Sequence, residues 1–493
     1  MITKPPAMLR SRVSQQIQSN LPVLLSWDSI RGLFTGVPRL SIAPLLQEAD
    51  SEVPSSNEIL PFESIPSTGR NAWVNLMLAW RNNSFQHMHL IMEKNFQKLG
   101  PIYRENLGTH SSVNILNPPD VARLYQSEGV FPRRMGMEAW ATHRDMRNHK
   151  CGVFLLNGEP WRSDRLILNK EVLSLAGVRK FLPFVDEVAT DFVSFLRRRA
   201  DKNTRRTLTV DLYADLFRFT LEAASYVLYG QRLGVLEEYP NAESLRFITA
   251  VETMIKTTLP LLYLPHQILR MSDSRLWTDH MEAWDIIFQQ ADKCIQNIYQ
   301  EFCLGQQRGY SGIMAELLLK GELPLDSIKA NITELMAGGV DTIIYLYGSL
   351  TQLFALQMCS LLFISLRLYP VGITVQRYPT KDIILHNYHV PAGTLVQVGL
   401  YPMGRSSQLF TDPLRYDPSR WTRREDTSFR ALAFGFGSRQ CIGRRLAESE
   451  MMLFLMHMLQ SFQIDTGCKD DIKTVFGFIL MPEKPPLLTF RPI

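Results

Sequence analysis

The chain predicts a mainly α protein carrying small β-sheets. Apolar residues recur at helical spacing over long stretches, the mark of helices with one buried face. Only three short runs are rich in β-branched and aromatic residues, and Pro and Gly punctuate them. A hydrophobic content of 45% and a charged content of 20% are those of an ordinary globular protein. With 493 residues, the chain has room for one large enzyme domain or for two or three ordinary ones. Its net charge of +5 is mild, and no dense Lys/Arg run is interleaved with aromatics, so nucleic acid is not an expected partner. The six cysteines (151, 294, 303, 359, 441 and 468) are scattered rather than framed as disulfides, which points to a reducing compartment.

Residues 1–46 hold Lys4, Arg10, Arg12, Arg31 and Arg39 against a single acid, Asp28. A basic, Ser-bearing, acid-poor start reads as a mitochondrial transit peptide, the alternative being a plain disordered tail. Leu21 to Leu25 is too short and Pro-broken to span a membrane. Residues 47–70 are rich in Pro, Ser and Glu and read as a linker. From there, 71–493 reads as one domain. Helical patterns cover 71–98, 117–127, 159–200, 211–230, 242–258, 276–305 and 326 onward, and β-rich runs cover 102–116, 381–400 and 472–491.

The helix from 326 is expected to be capped by Asp326 or Ser327. Ile328, Ile332, Leu335, Met336 and Gly339 share one face. Gly338 and Gly339 in mid-helix cost about 1 kcal/mol each against Ala, so something is expected to approach the backbone there. Asp341 and Thr342 follow. A Thr hydroxyl with an acid behind it can relay protons. A tight helix crossing with an ordinary Thr on it is the simpler alternative.

Phe434, Gly437, Arg439, Cys441 and Gly443 form F-x-x-G-x-R-x-C-x-G directly ahead of another helical pattern. A thiolate is favoured at a helix start by the dipole and free N–H groups, and such a thiolate can hold haem iron. The glycines suit a tight turn and a close approach to a flat macrocycle. Arg439 can pair with a propionate. Trp161 and Arg165, at i and i+4, share a helix face and can reach the same group. The simpler alternatives are an inert core cysteine and a surface Arg beside a half-buried Trp.

The ten-residue stretch resembles the haem-binding signature of the cytochrome P450 family, the haem-thiolate monooxygenases. The Gly-Gly-Val-Asp-Thr segment is similar to that family's oxygen-activating helix. The resemblance implies haem b with Cys441 as axial iron ligand. It implies cofactor contacts from Trp161, Arg165, Arg377, Phe434, Arg439 and Gly443, and catalytic roles for Thr342 and Asp341. The runs Lys150 to Gly158, Ala283 to Gln289, Leu366 to Gly372 and Pro485 to Arg491 look like the vertebrate mitochondrial steroid 11β-hydroxylase branch. That implies a steroid hydroxylated at C11 with O2, in a pocket drawn from Trp140, Phe154, Glu334, Gly338, Thr342, Phe478 and Ile479. It further implies electrons from a mitochondrial [2Fe-2S] ferredoxin and peripheral attachment to the matrix side of the inner membrane. Arg439, Arg444 and Arg445 would give the proximal face a positive patch that steers an acidic partner.

One interval departs from the family. A Glu normally stands three residues before Arg367 and pairs with it and with the residue matching Arg420. Here Ile364 holds that position, and no Asp or Glu occurs from 343 to 381. Breaking such a buried network costs about 3–5 kcal/mol. Residues 343–366 carry no charge and, as a single helix, would be about 36 Å long, where the family needs several helices. The basic residue expected ahead of the Glu is Phe363. The run is apolar enough to imitate a membrane span, but its first part continues a core helix. We read it as an internal deletion, from a skipped exon, a shifted splice junction or a faulty gene model. The expected fold is therefore that of a cytochrome P450, locally incomplete between the oxygen-activating and E-x-x-R helices. A catalytically dead or unstable deletion isoform is the alternative.

Overall fold

The helix ends and buried stripes show why the elements fall where they do. The computed structural model describes residues 58–272, 274–305, 310–350, 364–417, 432–466 and 473–493, with only the backbone described at 266, 341 and 343–350. The expected transit segment, Arg420 and residues 351–363 lie outside the described residues. In the first half the helices are α1 (Ala72–Arg81), α2 (Met88–Leu99), α3 (Pro118–Gln126), α4 (Glu138–Met146), α5 (Gly158–Val172), α6 (Leu175–Asp201) and α7 (Tyr213–Tyr229). There follow α8 (Ala242–Tyr263), α9 (His266–Met271), α10 (Arg275–Cys303), α11 (Gly312–Lys320), α12 (Leu325–Leu350), α13 (Leu400–Gly404) and α14 (Arg444–Ser461).

Asn71, Ser174, Asn241 and Ser274 cap α1, α6, α8 and α10 by accepting a first-turn backbone N–H. Ser174 explains why the long pattern at 159–200 is two helices: its hydroxyl starts α6 where α5 has just ended. The run at 71–98 is likewise divided, by Asn83 in the left-handed region (φ 51°). α12 begins at Leu325, one residue before the expected cap, so Asp326 lies inside its first turn, where a carboxylate favours the helix dipole. Ile328, Ile332 and Met336 are buried on its expected face.

Among the described residues, four small sheets flank the helices. The largest has the order β1-β2-β7-β4, from Ile102–Leu107, His110–Ile115, Val396–Gly399 and Thr374–Arg377, with β2 and β7 parallel and the other pairs antiparallel. β11 (Leu487–Pro492) lies between β3 (Leu208–Asp211) and β8 (Phe462–Thr466). The hairpins β5-β6 (Ile383–Leu385, Tyr388–Val390) and β9-β10 (Thr474–Phe476, Leu480–Pro482) complete the set. Residues 58–70, expected as linker, are pinned to this framework: Leu60 bridges to Tyr388, Ser67 bridges to Arg104, and Ile65 is buried.

Part of the main core lies where α6, α7 and α14 meet. Phe192, Phe219 and Phe454 are buried there with centroids 5.2 to 5.7 Å apart, within the separation that aromatic pairs prefer. Among the described residues, no helix is long and apolar enough to cross a membrane.

Among the described residues, three histidines are buried in this fold: His89, His143 and His280. Burial lowers all three, from 6.5 to about 4, about 4 and about 3 respectively. Their folded values lie below the unfolded one, so their contribution to stability is present above pH 6.5 and is lost as pH falls toward 4. Urea unfolding across that window should show a falling free energy, with a shallower slope in His280→Gln. A flat profile from pH 7 to pH 4 would contradict the assignment.

Candidate functional site

The loop before α14 is built around its own backbone. Single 3-10 turns occupy Leu432–Phe434 and Gly437–Arg439. The Cys441 N–H donates to the Phe434 carbonyl at 2.7 Å, which folds the loop back on itself. Gly437 has φ +71°, and a Cβ there would sit 3.2 Å from Glu128 Oε2, so both conformation and space call for glycine. Gly443 differs from expectation. It is the residue before α14, with φ −79°, and nothing lies within 4 Å of a Cβ built on it. Its role is openness rather than strain.

Cys441 is exposed by area although protein surrounds it, so its sulfur borders an internal space. Burial pushes its thiol above the ordinary value, against the Gly443 N–H and the Arg165 and Arg444 charges. The helix start alone therefore does not make the thiolate expected from the sequence. A bound metal cation would supply the missing stabilisation.

Four guanidinium groups converge nearby. Arg165 donates to the Gln440 carbonyl at 2.6 Å, and Arg439 donates to the Leu156 carbonyl at 2.5 Å and to Asn157 Oδ1 at 2.9 Å. Arg377 donates to Glu128 Oε1 at 2.5 Å and to the Phe436 carbonyl at 3.2 Å. Arg134 donates to the Phe154 carbonyl and lies 4.0 Å over the Phe154 ring. Burial, reinforced by Arg134, Arg377 and Arg165, pulls Arg439 down to about 8, and burial brings Arg134 and Arg165 to about 10. Trp161 is buried with its ring 4.4 Å beneath the Arg439 guanidinium, so it supports that residue's position.

Among the described residues, the buried Nε atoms of Arg165 and Arg439 find no acceptor. Together with the crowded cations, they fit a group with an anionic edge. Cys441 fits the metal at its centre, and the open flanks of Gly338 and Gly443 fit its flat body. The residues present therefore suit haem.

α12 carries the other wall. The Thr342 hydroxyl donates to the Gly338 carbonyl at 2.7 Å, and nothing among the described residues lies within 4 Å of a Cβ built on Gly338 or Gly339. No described side chain presses on those glycines, so the helix flank stays open at the point where a close approach is expected. The Asp341 side chain is outside the described residues. Glu334, expected as a substrate contact, holds a loop: its two oxygens accept the Gly152 and Phe154 N–H groups, each at 2.8 Å. Asn331 accepts the Val153 N–H at 2.6 Å and donates to Asp164 at 2.7 Å. A Cβ on Gly152 would lie 2.5 Å from Glu334, so only glycine fits under the clamp.

Trp140, Phe154 and Phe478 come together as expected. The Trp140 ring stacks on Phe154 at 5.4 Å and lies 6.4 Å from Phe478, with its N–H donating to Thr258 Oγ1 at 3.0 Å. Phe478 has φ +80°, a strained conformation for a bulky residue, in the turn that joins β9 to β10, and Ile479 beside it is buried. Phe434 is half-buried in the Cys441 loop, 5.5 Å below the Arg444 guanidinium.

Two expectations need correction or completion. Arg444 and Arg445 do not form a free basic patch: both pair with Glu448, at 2.8 and 3.2 Å, with side chains only 12% and 21% exposed, and Arg439 is buried. Sequence reasoning does not find Arg134, Glu128 or Asn331; the Pro132-Arg133-Arg134 run is the available signal for the first. Residues 364–368 are helical, and Ile364 is buried. Arg367 donates to the Gly404 and Pro413 carbonyls at 2.5 and 2.8 Å.

The family described as Cytochrome P450 matches residues 66–345 and 365–490, leaving out most of the uncharged interval. The chain is 67% identical to "Cytochrome P450 11B, mitochondrial" of Aquarana catesbeiana, covering 99% of this chain and all of that one. That alignment runs over 517 positions against 493 residues here, so 24 or more of its positions have no counterpart in this chain. It is 46% identical to "Cytochrome P450 11B1, mitochondrial" of Ovis aries, covering 88% and 93%. Against the cholesterol side-chain cleavage enzyme of Oncorhynchus mykiss it is 42% identical, covering 96% and 99%. The solved structure of retinoic acid bound cyanobacterial CYP120A1 superposes with a TM-score of 0.70 at 19% identity, covering 89% of this chain and all of that one, a likeness of fold. With its thiol loop and its crowded guanidinium wall, the chain belongs to the cytochrome P450 family, whose haem is held by a cysteine thiolate.

Proposed function

We propose that the chain is a mitochondrial steroid monooxygenase of the 11β-hydroxylase type. The observation that supports this most is the 67% identity over full length to a mitochondrial cytochrome P450 11B, joined to a site whose residues suit haem. When bound, haem supplies the binding and activation of O2. Cys441 Sγ would hold the iron. Arg134, Arg165, Arg377 and Arg439 would receive the propionates, with Trp161 beneath Arg439. Thr342 Oγ1, with Asp341 next to it in the chain, passes protons into the site. Trp140, Phe154, Phe478 and Ile479 form an apolar wall suited to a rigid steroid hydroxylated at C11. Glu334 keeps Phe154 in that wall through the 152–154 loop.

Electrons come from a mitochondrial [2Fe-2S] ferredoxin. The chain sits on the matrix side of the inner membrane, attached peripherally. An exposed apolar face supports this attachment: Trp73, Met77 and Trp80 on α1, and Ile268 and Met271 on α9. Gly108 ties the two regions together, its N–H donating to the Ala72 carbonyl at 3.1 Å while the Tyr263 carbonyl crowds it from the other side. Arg81 and Arg270 stand at the ends of these helices, ready for anionic headgroups. Flotation with cardiolipin-containing vesicles should recover the full chain, and W73S/I268S/M271S should cut recovery several-fold. Equal recovery would remove the support from this face.

We also propose that the interval before Arg367 is shortened relative to the enzyme's relatives, which fits the gap in the family match at 346–364. The reduced, CO-bound spectrum of the full chain tests the enzyme reading. A thiolate-type Soret shift is expected and should disappear in Cys441→Ser. A chain without the shift, alongside a version carrying the relatives' missing segment that shows it, would favour the inactive deletion form.

A further inference from the structure

The guanidinium cluster contains one carboxylate that the proposed mechanism does not use. Glu128 is buried, and its Oε1 accepts from Arg377 Nε at 2.5 Å, a pair with side chains 7% and 4% exposed. Its Oε2 faces Gly437, the residue whose turn carries the Cys441 loop past it. Arg439 also lies within its electrostatic reach. Arg134, Arg165 and Arg439 donate to carbonyls and an amide, which orient a guanidinium without offsetting its charge. Four cations therefore crowd one internal space, and among the described residues Glu128 is the carboxylate hydrogen-bonded directly into them.

We propose that Glu128 is a positioning residue that acts as the cluster's resident counter-anion. It holds Arg377 in place and offsets part of the mutual repulsion until the dicarboxylate edge of a porphyrin enters. The inference rests on the haem reading above. Buried like charges repel strongly because protein screens them poorly, and removing one partner of a buried pair leaves the other uncompensated. Loss of Glu128 should therefore harm the porphyrin-free chain more than the loaded one. A simple brace for the loop would harm both equally.

The test uses metal-free protoporphyrin IX, which presents the two carboxylates without the iron–sulfur bond, and its dimethyl ester, which presents neither charge. A negative CO spectrum would therefore leave this experiment standing. Thermal melting of the full chain, stripped of haem, is the readout. Glu128→Gln should lower Tm by about 5 °C or more. Protoporphyrin should close more than half of that gap, and the ester none of it. Glu128→Asp should melt near the wild type, and E128Q/R377Q should melt above E128Q. If E128Q does not fold alone, refolding should recover it with protoporphyrin and not with the ester. A Tm loss that is the same with and without protoporphyrin would overturn the proposal. So would a wild-type chain that protoporphyrin does not stabilise.

Discussion

Everything around the site answers to the repulsion among Arg134, Arg165, Arg377 and Arg439. A guanidinium gives up its proton only under severe pressure, so burying four together is costly unless their surroundings compensate. Burial and mutual repulsion drag Arg439 down to about 8, a measure of how unusual that setting is. The protein meets the constraint with carbonyl oxygens from the segments at 154–156 and 436–440, with the faces of Trp161 and Phe154, and with Glu128. A dicarboxylate ligand would complete the compensation and so couple the fold of the site to its cofactor.

The segment 152–157 connects that cationic wall to α12. Its N–H groups point at Glu334 and Asn331, while its carbonyls at Phe154 and Leu156 point at Arg134 and Arg439. The segment thus has anion and amide oxygens on one side and cations on the other. Glu334, fully enclosed and raised by burial, is stabilised as a carboxylate by Arg144, by those two N–H groups and by Arg134. The aromatic wall inherits its position from this arrangement, because Phe154 is both a clamped residue and the ring on which Trp140 stacks. The aromatic wall and the guanidinium cluster are therefore held by one short segment.

Much of this is legible in the sequence for physical reasons. Cys441, Arg439 and the glycines lie within ten residues, so a local loop fixes their geometry and the spacing alone exposes it. Trp161 and Arg165 share a helix face by periodicity. Arg134, Glu128 and Asn331 stay hidden because their meaning is tertiary: Glu128 meets Arg377 across 249 positions. The basic patch expected at Arg444 and Arg445 fails for a related reason. Their charge is visible in the sequence, but Glu448, one turn along α14, pairs with both. The loop-holding contacts of Glu334 stay hidden in the same way, since a buried acid on a pocket helix looks identical in sequence whether it meets a ligand or a backbone.

The two halves of the haem cradle depend on different parts of the chain. The cationic half comes from residues 128–165, β4 and the 436–440 turn, joined by the hydrogen bonds of Arg165, Arg377 and Arg439. The thiol half is tied to the region after Arg367. Ile364 and Leu368 pack together with Tyr369 and Tyr416 in an apolar cluster. Arg367 reaches the Gly404 and Pro413 carbonyls, which lead into the segment before the Cys441 loop. The proposed shortening of that interval would therefore act first on the approach to Cys441 rather than on the guanidinium cluster. The expected consequence is a chain that retains a porphyrin-shaped, cationic cleft even where its thiol is held less firmly against the iron.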